Sequence, residues 1–159
     1  MRELRIRSAA RAVVLDPEHR ILLVSFEGRE HTVWLTTGGG IDEGETDEEA
    51  VRRELREEAG LEAFELGPLI WTRTHEMPLA GGRWDGQSER YYLVRVPAFE
   101  PAPHLTWEQL REEGMTGIRW WTLEELEAAE TLFAPRRLPA LVRSLLEDGP
   151  PSEPVDVGF

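Results

Sequence analysis

The chain has 159 residues, no cysteine, and 31 acidic against 18 basic side chains, for a net charge of −13. That length holds one domain with a real core. The absence of cysteine excludes disulfides, zinc–thiolate sites and thiol nucleophiles. So acidic a surface repels nucleic-acid phosphates, and no nucleic-acid polymer is expected as a partner. Neither a signal peptide nor a long apolar span is visible, so the expected compartment is the cytoplasm and no membrane partner is expected.

Residues 9–15 and 21–26 read as strands rich in aliphatic and β-branched side chains. The intervening Asp16-Pro17-Glu18-His19 has turn chemistry and makes the two a hairpin. Residues 33–37 form a short strand that runs into Gly38-Gly39-Gly40. A glycine-rich loop then leads into a helix, with Thr46 or Asp47 as its N-cap. On that helix Glu54, Glu57 and Glu58 stand at i, i+3 and i+4, so their carboxylates share one face. Val51, Leu55 and Ala59 form a neighbouring apolar stripe suited to burial against a sheet.

Beyond the helix, residues 64–74 look like a long strand, and residues 78–87, punctuated by Pro78, Gly81, Gly82 and Gly86, like a loop or hairpin tip. Residues 90–96 are the next strand. Residues 97–117 read as irregular, with a helical turn over 107–113. A short strand at 118–121 precedes a helix capped by Thr122, and Pro135 opens a final helix with Leu138, Leu141, Val142, Leu145 and Leu146 on its apolar side. Residues 1–148 are then one domain, and the proline- and acid-rich residues 149–159 a tail that is loose or lies across a partner. Strands interleaved with helices indicate an α/β class.

The acidic helix face has two readings. Acidic runs are commonly solvated, and Arg52, Arg53 and Arg56 could neutralise this one. Without a counter-ion, like charges at this spacing cost roughly 0.2–0.5 kcal/mol per pair. A hard cation would turn the repulsion into ligation, since carboxylate oxygens suit magnesium or manganese. The flanking residues decide between them. Gly39, five residues, Glu45, seven residues, Arg53-Glu54-Leu55, one residue, Glu57-Glu58, one residue, Gly60-Leu61 fills every specified position of the Nudix box. The chain thus resembles the Nudix hydrolase family.

That resemblance implies an α/β/α sandwich with a mixed sheet between helices. It implies hydrolysis of a nucleoside diphosphate linked to another moiety, such as ADP-ribose or a (d)NTP, supported by Mg2+ with Mn2+ able to substitute. Glu54, Glu57, Glu58 and the carbonyl of Gly38 would hold the metal, and Glu57 or Glu58 could orient the attacking water. Glu45 and Arg53 would form a structural ion pair, while Gly39 and Gly60 would serve close approach or positive φ. Many relatives have proline before the glycine pair; Thr37 here alters loop stiffness and leaves the Gly38 carbonyl free. The general base of many relatives lies on a late loop. Glu112 and Glu113 are the candidates, with Glu108 behind them, and Gly114 and Gly117 would let that loop move.

Trp71, Arg73, Trp84, Arg90 and Tyr91 are candidates to stack a base and hold phosphates. Trp120 and Trp121 read as core, and His75 is assigned no role. ADP-ribose hydrolases of the family carry a proline a little past the box, and Pro78 falls one position later than that. Two other readings are weaker. A non-catalytic Nudix-like nucleotide sensor usually loses box carboxylates, and none is lost; an isomerase of the isopentenyl diphosphate kind needs an acid such as cysteine, and there is none. The oligomeric state is open, a homodimer included.

Overall fold

The structure, a computed structural model, describes residues 3–28, 30–76 and 82–158. Among these residues the order is β1 (Ile6–Leu15), β2 (Ile21–Glu27), β3 (Thr32–Gly40), α1 (Asp47–Ala59), β4 (Leu69–His75), β5 (Gly86–Arg95), α2 (Trp107–Glu112), β6 (Met115–Trp121), α3 (Leu123–Ala128), β7 (Leu132–Ala134), α4 (Leu138–Asp148) and β8 (Val155–Asp156). One mixed sheet runs β6-β2-β3-β1-β5-β4-β8, with β7 added to β3. The expected layers are present: β1 is parallel to β5 and antiparallel to β3, and helices cover both faces.

Successive residues of β1 feed opposite layers, as the strand's alternation requires. Ala10, Ala12 and Val14 pack with Ala50, Val51, Leu55 and Ala59 of α1. Val13 and Leu15 face the other way, into a core shared with Leu126 of α3 and Leu138, Val142 and Leu145 of α4. Burial on both faces explains why β1 reads as an almost unbroken apolar run. Arg11 interrupts it.

Helix α1 is defined at both ends. Thr46 accepts from the Glu49 backbone N–H at 3.1 Å, and the Glu49 carboxylate accepts from the Thr46 N–H at 3.0 Å, a reciprocal cap. At the other end Gly60 takes φ 73°, and a Cβ there would collide with the Ala102 carbonyl oxygen. Gly60→Ala should therefore cost at least about 2 kcal/mol, combining left-handed strain with displacement of the 102 segment. Thermal unfolding of the purified variant checks this, and an unchanged midpoint would contradict it.

Several sequence expectations change. The first two strands do not form an extended hairpin: β1 and β2 meet only at Leu15 and Ile21. Asp16 accepts from the Glu18 and Arg20 backbones and the Arg20 guanidinium, and β1 goes on to pair with β3 and β5 instead. The fourth strand begins at Leu69 rather than 64, because Gly67 donates to the Leu93 carbonyl and the chain only then aligns. The helical turn expected over 107–113 is a capped helix at 107–112, held by the buried Leu110, and the strand after it begins at Met115 rather than 118. The tail packs against its own domain. Its β8 pairs with Trp71 and Thr72 of β4, and Val157, 1% exposed, is part of the core. No described helix is long and apolar enough to cross a membrane.

Candidate active site

Strand β3 ends in three glycines, the first close against the β1 backbone and the next two beneath charged side chains. A Cβ on Gly38 (φ 128°) would stand 2.6 Å from Arg11 Cα, and one on Gly39 would stand 2.7 Å from a Glu54 carboxylate oxygen. One on Gly40 would collide with the Arg7 guanidinium. The strand's alternation separates these neighbours: Arg7 and Arg11 cross one face and Glu54 of α1 the other. Only a chain without side chains allows both sets so near.

Arg53 organises the carboxylate side. It meets Glu45 at 2.7 and 3.0 Å, donates to the Gly40 carbonyl at 3.0 Å, and reaches Glu54 at 3.0 Å and Glu57 at 3.5 Å. The Glu45–Arg53 pair thus ties the end of β3 and its following loop to α1, and hydrogen bonding to Arg53 holds the Glu45 carboxyl below its usual range. Glu58 is 3% exposed and accepts from the Gly38 backbone N–H at 3.0 Å. Burial, followed by the Glu54 charge, pushes the Glu58 carboxyl well above its usual range; burial also raises Glu54, against the opposing pull of Arg53. The Gly38 carbonyl is not free as expected, since Arg11 Nη1 approaches it at 3.4 Å. A carbonyl has a second lone pair, so this contact leaves it able to accept another partner.

A cleft of ≈ 670 Å³ opens here, and it brings Glu54, Glu57 and Glu58 together with Glu112 and Glu113 from the end of α2. Glu108, on the first turn of α2, is not part of its lining. Arg7, Arg11 and Gln87 also line the cleft.

A family model described as the NUDIX domain matches residues 5–142. The chain belongs to the Nudix family. It is 40% identical over 93 residues to an RNA pyrophosphohydrolase of Sulfurovum sp. (strain NBC37-1), a match covering 54% of this chain and 59% of that one. It is 33% identical over 96 residues to the RNA pyrophosphohydrolase of Vibrio atlanticus (strain LGP32), covering 55% of each. The chain therefore spans little more than half the length of these curated relatives. In fold it is similar to a MutT protein from Methanosarcina mazei Go1, with TM-score 0.69, 19% identity, and coverage of 93% of this chain and 100% of that one.

Nudix hydrolases generally use divalent metal ions. The Nudix box here fits one by the chemistry of its donors, three carboxylates of which Glu58 is buried with its charge strongly disfavoured. Among the described residues no three acidic or histidine side chains already converge on one point. Arg53 holds Glu54 and Glu57, and the Gly38 N–H holds Glu58, so a cation would draw these side chains from present partners.

The expected recognition residues disperse. Trp71 and Tyr91 are buried, pack against each other at 5.7 Å, and belong to the core with α4, so neither offers a face to a base. Arg73 is buried against Glu89 and does not line the cleft. Arg90 lies on the α1 side, where it and Tyr92 grip Asp47 at 2.5–2.6 Å, tying β5 to the first turn of α1. Hydrogen bonding to Arg90 holds Asp47 below the usual carboxylate range. Trp84 is half-buried beside Arg83, outside the cleft lining. Pro78 lies outside the described residues. Trp121 is core, and Trp120 is partly buried, its indole N–H donating to the Phe99 carbonyl. Sequence reasoning missed Arg7, Arg11, Gln87 and Glu89. A charged residue inside an apolar run, as Arg11 is between Ala10 and Ala12, was the available signal.

Proposed function

We propose that this Nudix domain hydrolyses the phosphoric anhydride of a nucleoside diphosphate linked to another group, with Mg2+ as its ion and Mn2+ able to replace it. The carrying observation is the meeting, in one cleft, of the box carboxylates with Glu112 and Glu113 and with Arg7 and Arg11. Glu54, Glu57 and Glu58 would hold the ion, which when bound supplies charge neutralisation at the phosphate oxygens and acidifies water. Glu113 or Glu112 accepts the proton of the attacking water. The water oxygen bonds to phosphorus, and the bridging oxygen departs with the other phosphoryl group. Arg7 and Arg11 face the substrate's anionic oxygens from across the glycine strand.

The substrate is a free nucleotide or nucleotide-sugar, a reading supported by the net charge of −13, which opposes a polyanion. The two curated relatives described above are named for RNA, and structural neighbours include proteins described as an ADP-ribose pyrophosphatase and an Ap4A hydrolase. The test is a panel of (d)NTPs, ADP-ribose, dinucleoside polyphosphates and a short RNA with a terminal triphosphate, with Mg2+ and product masses. Turnover confined to the RNA would overturn the small-molecule reading. Binding without turnover of any member would make the domain a sensor.

Mg2+ or Mn2+ should also raise the melting temperature, since a ligand of the folded state alone stabilises it by about 2.7 kcal/mol at a hundred times its dissociation constant. Calcium should bind without comparable turnover, its longer and looser coordination suiting an in-line attack poorly. Full activity in excess chelator would rule out the metal.

A further inference from the structure

Three neighbouring strands place a buried ion cluster behind the cleft. Glu89 of β5, 1% exposed, accepts from Arg11 of β1 on one carboxylate oxygen and from Arg73 of β4 on the other. Arg73 is in register with Glu89 on β4, and on β1 Arg11 stands one same-face step beyond Ala9, the residue in register with Glu89 there. Arg11, 8% exposed, is held at two more points: its Nη1 donates to the Thr36 carbonyl at 3.2 Å and approaches the Gly38 carbonyl at 3.4 Å. Its Nη2 makes none of these contacts. Arg11 lines the cleft, whereas Glu89 and Arg73 stand behind it.

We propose that Glu89 is a positioning residue, clamping Arg11 across Gly38 so that the remaining edge of the guanidinium meets a phosphate of the substrate. A purely stabilising role accounts poorly for the cluster. Buried ion pairs are commonly no more stabilising than apolar residues of similar volume, and every other residue from 9 to 15 in this strand is apolar and buried. An arginine at the cleft wall adds what an apolar residue cannot, a planar set of donors matched to phosphate oxygens. Its value there depends on orientation. A guanidinium tied through Nε and Nη1 has lost its torsional freedom before the ligand arrives, so binding need not immobilise it. Arg73, on the far oxygen, in turn fixes the rotation of the Glu89 carboxylate. All three side chains stand on paired strands, which hold geometry better than loops.

This rests on the reading of the cleft as a phosphoanhydride site, and the test separates the two. Glu89→Gln keeps the side-chain shape and removes the charge. Binding of inorganic pyrophosphate, with Mg2+ present, is measured by calorimetry on the whole chain at a temperature where both proteins are folded. The dissociation constant should rise about tenfold, the scale of losing one charge-assisted hydrogen bond. With a hydrolysed nucleotide, KM should rise by more than kcat falls. Arg11→Lys should weaken pyrophosphate similarly, because one ammonium cannot hold Glu89, two carbonyls and a phosphate together. It also serves as the test if Glu89→Gln fails to fold. Folded variants with wild-type pyrophosphate affinity and merely lower melting temperatures would overturn the proposal, as would a wild-type chain that does not bind pyrophosphate. Arg11-dependent binding in a chain that cleaves no anhydride would support the clamp and sink the hydrolase reading instead.

Discussion

Glu57→Gln should cut turnover at least about a hundredfold at saturating Mg2+, the scale of removing one charged group from a preorganised site. Among the three box carboxylates on the shared face of α1, Glu57 is the least committed to the protein. Glu54 is held by Arg53 at 3.0 Å and Glu58 by the Gly38 N–H at 3.0 Å, whereas Arg53 reaches Glu57 only at 3.5 Å. It is thus the carboxylate that a cation can recruit with the smallest loss of existing contacts. The fold should survive, since Val51, Leu55 and Ala59 carry the burial of α1 and the change removes repulsion with Glu54. Turnover and thermal unfolding, measured on the same preparation, check the two halves. A folded variant with an unchanged rate would remove Glu57 from the metal site.

How much of this was legible in the sequence depended on how local the cause was. Helix α1 was readable because its cap, its apolar stripe and its shared acidic face all lie within a few turns. The start of α2 carried a comparable signal in Thr106 and Gln109, which form a reciprocal cap, but its short apolar face showed no more than a helical turn. The extent of β5 was not local. Its first residues align because β1 offers ten consecutive parallel partners, from Ile6 with Gly86 to Leu15 with Arg95, and no pattern within β5 announces them. Trp71 and Tyr91 illustrate a different limit. An aromatic on a strand declares that one face is apolar, but not whether that face meets a core or a ligand, and here α4 covers both. The Glu89 cluster joins residues far apart in sequence, so only the odd charge at Arg11 marked it. The tail was misread because its apolar residues, Val155 and Val157, are few and interleaved with acid; one of them is enough to dock it once β4 supplies an edge.

Glu113→Gln should lower turnover by about 10²–10⁴-fold, the range of a lost general base, while leaving Mg2+ affinity nearly intact. Carboxylates that hold a cation are poor proton acceptors, because the ion favours their charged form. A base is better supplied by an acid in the cleft but outside the ion's donor set, and Glu112 and Glu113 are such acids. Glu113 comes first of the two because its charge acts on the buried Glu58 of α1. In the proposed reaction this acid stands on a helix end packed against the sheet. Leu110 is buried in a cluster with Val24 and Met115, and the Glu27 backbone N–H donates to the Gly114 carbonyl at 3.1 Å, pinning the turn after α2 to β2. Glu112→Gln should accordingly have the smaller effect. Metal affinity is read from the rise of melting temperature with added Mg2+, and turnover from the same protein. If both variants keep wild-type rates while Glu58→Gln is inactive with metal still bound, the base lies on α1, and the two acids of α2 are ordinary surface charges at the mouth of the cleft.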